Sequence, residues 1–192
     1  MAKHQVVSVD IGTNAIKLVQ LEQTASGLRL VNAGIELYPR ETAMEEVDDQ
    51  IVCQTLQKLW KRVQGHKPFV ALSIPRTFVT SRRLNLPAAA TDAHLPSLIA
   101  IQAETELPFK IDSAIYDYHD VRRTDQGVSV ELVAARREAV QKQLDYFKPV
   151  GITPNSVLPS SLATSVLAGI APPSLSPAGG DGTVGAMPTG LK

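Results

Sequence analysis

The chain has 192 residues, of which 44% are hydrophobic and 20% charged, and its formal net charge is zero. This is an ordinary globular composition, and the chain is long enough for one domain or two small ones with a buried core. A neutral chain creates no global field that attracts nucleic acid or an acidic membrane surface. Its only cysteine, Cys53, cannot form an internal disulfide, which fits a reducing, cytoplasmic setting. No apolar run approaches the roughly 20 residues that span a bilayer, so we expect membrane association only through a partner.

Residues 6–22 have the sequence VVSVDIGTNAIKLVQLE, which predicts two β-strands joined by a tight polar turn. The first strand ends at Asp10, and Gly12, Thr13 and Asn14 form the turn. Glycine lets a ligand approach the backbone closely, and small hydroxyl and amide residues expose N–H groups, so such a turn is able to cradle phosphate. Asp10 at the strand end is placed to hold Mg²⁺ through water. The same residues also suit an ordinary β-hairpin, and spacing alone favours the hairpin.

The first part of the chain predicts a mixed sheet. A third strand at residues 28–38 completes an antiparallel meander, and the second strand is apolar on both sides, so we expect this sheet to be covered on both faces. Apolar residues four, three and four positions apart then predict a helix within residues 40–66. They are Val52, Leu56, Leu59 and Val63. An apolar segment at 69–74 predicts a fourth strand that returns parallel to the first through a right-handed crossover.

The next part of the chain predicts an inserted unit with the order β-α-β-β-α-β, a split βαβ arrangement. Its predicted elements are a strand at 79–86, a helix after Asp92, strands at 115–121 and 128–134, a helix at 137–148 and a last strand at 152–158. The predicted fold class is therefore α/β (α+β), with a β-β-β-α-β mixed sheet and an inserted subdomain.

The predicted domain boundaries follow from these elements. Residues 1–75 form the first subdomain, 76–158 the inserted one, and 159–170 a return to the first. Small apolar residues from 160 to 170 favour a short helix. In residues 171–192 proline and glycine are so frequent that no periodicity is left, which predicts a disordered tail.

Three segments carry a family resemblance: VDIGTNAIKLVQLE, ETELPFKIDSAIYDY and VELVAARREAVQKQLDYFKPVGITPNSVLPSSLA. Taken together, they make residues 5–170 resemble the PilM family of type IV pilus assembly proteins. The order β-β-β-α-β resembles the first subdomain of the actin-like ATPase fold, and the inserted unit is similar to a subdomain of the cell-division protein FtsA. The first segment alone is only moderately specific, since many actin-like proteins contain Asp-x-Gly, whereas the joint pattern is much more specific.

The resemblance implies a cytoplasmic assembly component of a type IV pilus or a related secretion machine, peripheral at the inner membrane. It implies a partner similar to the inner-membrane protein PilN, whose cytoplasmic tail would lie in the groove between the first and second units. It also implies ATP and Mg²⁺ as cofactors. Asp10 would lie near Mg²⁺, with Gly12, Thr13 and Asn14 along the phosphates and Lys17 at a phosphate oxygen. The alternative for Lys17 is a solvent-exposed lysine at the end of a strand.

Two departures from the family pattern argue against turnover. Actin-like ATPases bind nucleotide between two halves, and we expect the second half to be absent here. That half normally supplies a second phosphate turn, which Asp181-Gly182-Thr183 resembles only weakly. Residues 76–83 contain no Asp, Glu or Gln to orient an attacking water. We therefore expect nucleotide to bind weakly or not at all, without hydrolysis. We also expect either association between copies or instability, because apolar surface that the second half would cover is exposed. The alternative is an ATPase or kinase of this fold whose missing half another chain supplies.

Overall fold

The structure is a computed structural model that describes residues 5–39 and 47–161. Its strands are β1 (Gln5–Ile11), β2 (Ala15–Thr24), β3 (Gly27–Leu37), β4 (Phe69–Ile74), β5 (Val79–Leu86), β6 (Ala114–Thr124), β7 (Gly127–Arg136) and β8 (Ser156–Pro159). Its α-helices are α1 (Asp49–Trp60), α2 (Leu95–Glu106) and α3 (Arg137–Asp145), and 3₁₀ turns lie at Arg76–Phe78, Ile111–Ser113 and Lys148–Val150. None of the helices in the described ranges is long and apolar enough to cross a bilayer.

The contacts divide the described chain into two units. The first contains residues up to 75 together with 141–160, and the second contains residues 76–140. The sequence places the end of the inserted unit at residue 158, so the two divisions differ in where residues 141–158 belong.

The first unit is built on a mixed five-stranded sheet with the order β3-β2-β1-β4-β8. Strands β1, β2 and β3 form an antiparallel meander, and β4 returns parallel to β1. Helix α1 makes the crossover that a parallel return requires. It begins at the N-cap Asp48, whose side chain accepts a hydrogen bond from Gln50 N at 2.6 Å. The predicted fold class, meander, helix and parallel return are confirmed.

One face of this sheet is packed against α1, and we call it the covered face. Strands β1 and β2 bury Val9 and Leu18 there, and α1 buries Leu56. Helix and sheet come so close that a Cβ added at Gly34 would lie 2.9 Å from Leu59 Cδ2. Each fully buried aliphatic side chain stabilises such a core by roughly 1.5–3 kcal/mol relative to an exposed one.

A glutamine closes the covered face at the end of α1. Gln20 is completely buried in β2. Its Nε2 donates to Gln5 Oε1 at 3.1 Å and to Gln64 O at 2.6 Å, while its Oε1 accepts from Gln64 N at 3.0 Å. Because all these polar groups have partners, the buried amide ties the segment after α1 to the sheet without a desolvation penalty.

The opposite face of the sheet is exposed in the described residues, and we call it the open face. Its large exposed hydrophobic side chains come from β1 to β4: Val6, Val19, Leu28, Leu30, Ile35, Leu37 and Phe69. The prediction that both faces of this sheet are covered is wrong for the described part of the chain. An apolar residue on each side of β2 satisfies the pattern of a two-sided strand, but the pattern does not specify what covers the second side.

The second unit contains a three-stranded antiparallel sheet with the order β5-β7-β6. Helix α2 packs on one face of it, and the shared core includes Ile99, Val130 and Leu132, all at most 1% exposed. The guanidinium of Arg136 lies 4.8 Å from the centre of the Phe109 ring. The predicted strand, helix and hairpin of this unit are confirmed.

The prediction that the last strand closes the second unit is wrong. Strand β8 pairs in parallel with β4, so it is the edge strand of the first unit's sheet. The cause is local: Asn155 receives a hydrogen bond from Val70 N at 2.7 Å on its Oδ1 and donates its own N–H to Val70 O at 2.8 Å. These two bonds fix the chain beside β4 just before β8 begins. Element order alone does not tell which sheet a strand joins.

Several predictions lie outside the described residues. They are the part of the short helix beyond residue 161, the disordered tail at 171–192, and the turn-like Asp181-Gly182-Thr183.

Candidate functional site

The turn between β1 and β2 is closed by its own backbone. Gly12 N donates to Ala15 O at 3.0 Å. A Cβ at Gly12 would lie 3.2 Å from the same oxygen, which is tighter than an ordinary contact. Glycine therefore suits this position because two backbone segments approach each other closely, and this approach makes the turn tight.

Thr13 and Asn14 are the exposed residues of the turn. The carbonyl of Asn14 accepts a hydrogen bond from Tyr38 N at 3.0 Å, which ties the turn to the end of β3. The two side chains that the sequence selects as phosphate contacts therefore lie at the surface, on a backbone held from both sides.

The structure brings Asp10 and Lys17 together at the base of this turn. The two residues are opposite each other in the β1–β2 ladder, and Lys17 Nζ donates to Asp10 Oδ2 at 3.0 Å. The side chain of Asp10 is 32% exposed, and that of Lys17 is 56% exposed. An ion pair that solvent reaches contributes little stability, so this pair is free to exchange its partners for a ligand at small cost.

Metal-binding capacity at the turn rests on a single carboxylate. Residues 5–39 and 47–161 contain no group of three or more His, Cys, Asp and Glu side chains able to surround an ion. Mg²⁺ differs from Zn²⁺ in this respect, because one carboxylate, waters and the phosphates of a nucleotide are enough to hold it. The roles of Asp10, Gly12, Thr13, Asn14 and Lys17 as ligand-binding residues stay predictions.

Tyr38 is a residue of this region that the sequence reasoning missed. Its side chain is 5% exposed, and in the described chain its hydroxyl has no hydrogen-bond partner. Burial raises the pKa of Tyr38 to about 12, and the negative charge of Asp10 adds to the shift. The alternation of side chains along β3 could have predicted this burial, because it places residue 38 on the covered face together with Glu36.

A second polar cluster in the first unit is structural. Tyr146 donates its hydroxyl proton to Asp49 Oδ1 at 2.6 Å, and Lys142 Nζ lies 3.0 Å from the same oxygen. The hydrogen bond from Tyr146 and then that from Lys142 lower the pKa of Asp49. Burial and the nearby Asp49 charge raise the pKa of Cys53. A raised thiol pKa opposes formation of the reactive thiolate, which favours a packing role for Cys53.

The first unit also has a shallow surface pocket beside the end of α1. Its lining residues are Gln57, Trp60, Lys61, Pro149 and Val150. Trp60 packs edge-on against Phe147, with 6.3 Å between ring centres and 81° between ring planes. Gln57 Nε2 donates to Pro149 O at 3.3 Å, which joins two of the lining residues. Trp60 is the single tryptophan of the sequence, so its fluorescence reports on the environment of this pocket.

The sequence profile of the type IV pilus assembly protein PilM matches residues 8–186 of this chain. The chain belongs to the PilM family. The resemblance drawn from the three segments of sequence is thereby confirmed. A sequence comparison with the curated proteins finds no match.

Two solved structures share the fold. A structure described as the PilM-PilN type IV pilus biogenesis complex matches with a TM-score of 0.69 and 21% identity, over 84% of this chain and 49% of that one. The cytoplasmic domain of EpsL, an inner-membrane component of the type II secretion system of Vibrio cholerae, matches with a TM-score of 0.55 and 13% identity, over 83% of this chain and 58% of that one. The chain thus spans about half the length of the matched chain of the pilus complex and somewhat more of the EpsL cytoplasmic domain.

Proposed function

We propose that this chain is a cytoplasmic assembly component of a type IV pilus or a related secretion machine, held at the inner membrane by the cytoplasmic tail of a PilN-like partner. The observation that carries the proposal is the PilM family match over residues 8–186. The shared fold with one structure from a pilus complex and another from a secretion system supports the same assignment.

The chemistry of such an interaction is peptide recognition. A short cytoplasmic tail bound in extended form gains backbone hydrogen bonds at sheet edges and side-chain contacts in pockets. The membrane anchor then belongs to the partner, and the PilM-like chain positions the tail without entering the bilayer.

The test is a titration of the full chain with a synthetic peptide of the N-terminal cytoplasmic tail of the PilN-like protein encoded beside its gene. Isothermal calorimetry gives the affinity, and Trp60 fluorescence reports any effect on the first unit. The matched control is a scrambled peptide of equal composition and charge. We expect saturable binding of the native sequence only, and equal binding or no binding of both peptides would overturn the proposal.

We infer that the turn between β1 and β2 is a second, nucleotide-binding site of this chain. The observation that favours it is the Asp10–Lys17 pair at the base of a tight turn with exposed Thr13 and Asn14. Asp10 would hold Mg²⁺, and Lys17 would neutralise a phosphate oxygen. Bound Mg²⁺ would supply charge neutralisation of the phosphates.

The nucleotide site is tested by titration of the full chain with Mg·ATP. We expect weak binding that Lys17→Met and Asp10→Asn reduce by about tenfold, or about 1.4 kcal/mol. The matched control is Lys58→Met, because Lys58 is also exposed and also pairs with an acid, Glu36, on the other face of the sheet. Binding that survives Lys17→Met removes that residue from the site. A complete lack of binding to the unmodified chain overturns the nucleotide site and leaves the assembly role intact.

A further inference from the structure

Strand β3 is an edge strand, and no described residue pairs with its outer side. It is 11 residues long. On the open face it carries four large apolar side chains that are 61–70% exposed: Leu28, Leu30, Ile35 and Leu37. A long edge strand with exposed apolar side chains is a template for another strand, and native proteins usually protect such edges with charge, proline or a covering element.

We propose that β3 pairs antiparallel with β3 of a second copy of this chain, around a two-fold axis at Ala33. This pairing would join the two five-stranded sheets edge to edge and make the open faces of both copies continuous. The partner of this edge is a second copy of the chain, because the sequence of β3 is complementary to itself in that register.

The apolar side chains complement one another across the axis. With Ala33 opposite Ala33 of the second copy, the register places Ile35 opposite Leu30 and Leu37 opposite Leu28. In this register Val31 has no residue opposite it, so it forms a β-bulge. Val31 is also left without a partner in the pairing of β3 with β2, where the register shifts by one residue. All five residues of the resulting row lie on the open face, since β2 pairing places Leu28, Leu30, Ala33, Ile35 and Leu37 on one side. Directly opposed apolar pairs of this kind stabilise antiparallel sheets.

Charge on the other face selects the same orientation. In the antiparallel register Arg29 lies opposite Glu36 of the second copy, twice by symmetry. A parallel, in-register pair would instead place Arg29 beside Arg29 and Glu36 beside Glu36, and like charges directly opposite each other are destabilising. In its own chain Arg29 bonds to Glu22, and Glu36 pairs with Lys58 and Arg62. These intrachain pairs hold both side chains in place beside the edge.

The size of the contact sets the expected strength. Pairing through one strand buries less than the roughly 1,200 Å² at which standard stable interfaces begin. We therefore expect a reversible monomer–dimer equilibrium with a dissociation constant in the micromolar range.

The first test measures the mass of the full chain as a function of concentration by analytical ultracentrifugation. We expect the weight-average mass to rise from the monomer value of 20.7 kDa toward twice that value. Ile35→Lys should weaken association by about tenfold or more. The matched control is Ile101→Lys, because Ile101 in α2 of the second unit is 67% exposed, against 64% for Ile35. Equal loss in both variants, or none in either, overturns the proposal.

The second test fixes the register. In a Cys53→Ser background, Ala33→Cys would place two Cα atoms about 4.5–5.5 Å apart across the axis, within the range of roughly 4.4–6.8 Å that a disulfide bridges. We expect mild oxidation to link the Ala33→Cys chain into dimers at concentrations where the Ala25→Cys control, in the exposed turn before β3, stays monomeric. If both variants crosslink equally, or if Ala33→Cys is shielded from thiol labelling in the monomer, the edge has another occupant and the proposal fails.

Discussion

The two faces of the five-stranded sheet differ sharply, although the same strands build both. On the covered face Val9 and Leu18 are at most 1% exposed, and α1 packs over them. On the open face Val19, one residue along from Leu18, is 39% exposed, and the Asp10–Lys17 pair lies nearby. The covered face holds the fold together, whereas the open face contains the Asp10–Lys17 pair of the nucleotide proposal and the apolar row of β3 in the association proposal.

This difference teaches how function is placed on such a sheet. A strand alternates its side chains between faces, so each strand contributes to the core and to the surface at once. Substitutions on the covered face should therefore change the free energy of unfolding, and those on the open face should change binding or association instead.

Leu18→Ala and Val19→Ala make the largest contrast. Leu18 is almost completely buried, and removing its side chain leaves a cavity, so we expect a loss of about 2–5 kcal/mol in the free energy of unfolding. Val19→Ala removes a half-exposed side chain and should cost less than about 1 kcal/mol. Urea unfolding followed by circular dichroism measures both. Similar losses at the two positions would mean that the open face is covered by part of the chain outside the described residues.

Gln20→Met comes next in size. The substitution keeps the volume of the side chain but leaves Gln64 N, Gln64 O and Gln5 Oε1 without their buried partner. Leaving such groups unsatisfied costs about 1–3 kcal/mol. The control is Gln23→Met on the same strand, where the side chain is exposed and the cost should be near zero. Equal stability of the two variants would show that water replaces the lost bonds.

The positions of the helices and strands were largely predictable from the sequence, whereas the elements with which each one pairs or packs were not. The helical spacing of Val52, Leu56 and Leu59 identifies α1 because period is a local property. The sheet that β8 joins depends on Asn155 bonding to Val70, a contact across 85 residues that no local pattern contains. Likewise, the apolar residues of β2 gave no sign that one of its faces is open.

The candidate site shows the same limit. The motif identifies Asp10, Gly12 and Lys17, and the tight turn explains why glycine is present. The direct bond between Asp10 and Lys17 follows only from the strand register, which the turn length sets. Tyr38 escaped notice because it lies 24 residues after Asn14 in sequence, and hydrogen bonding at the end of β3 brings them together.

Tyr38→Phe should act mainly at alkaline pH. The folded-state pKa of Tyr38 is raised from 10.0 to about 12, so between these values the unfolded state loses its proton first and stability falls as pH rises. Phenylalanine removes this contribution, which we expect to be about 2 kcal/mol near pH 11.5. At pH 7 the change should be neutral or slightly stabilising, because the lost hydroxyl has no partner in the described chain. An equal alkaline slope in both proteins would contradict the assigned environment.

The smallest effect on stability is expected at the Asp10–Lys17 pair. Both side chains reach solvent, so Asp10→Asn, Lys17→Met and the double variant should each change the free energy of unfolding by less than about 1 kcal/mol. A double-mutant cycle at low and high salt isolates the pair energy, and salt should reduce it further. A coupling above about 2 kcal/mol, insensitive to salt, would mean that the pair is buried in the intact protein. The open face would then be covered at this point, and the turn would be closed to a phosphate. A small, salt-sensitive coupling, together with loss of Mg·ATP binding in the same variants, would show that this pair serves ligand binding and contributes little to the stability of the fold.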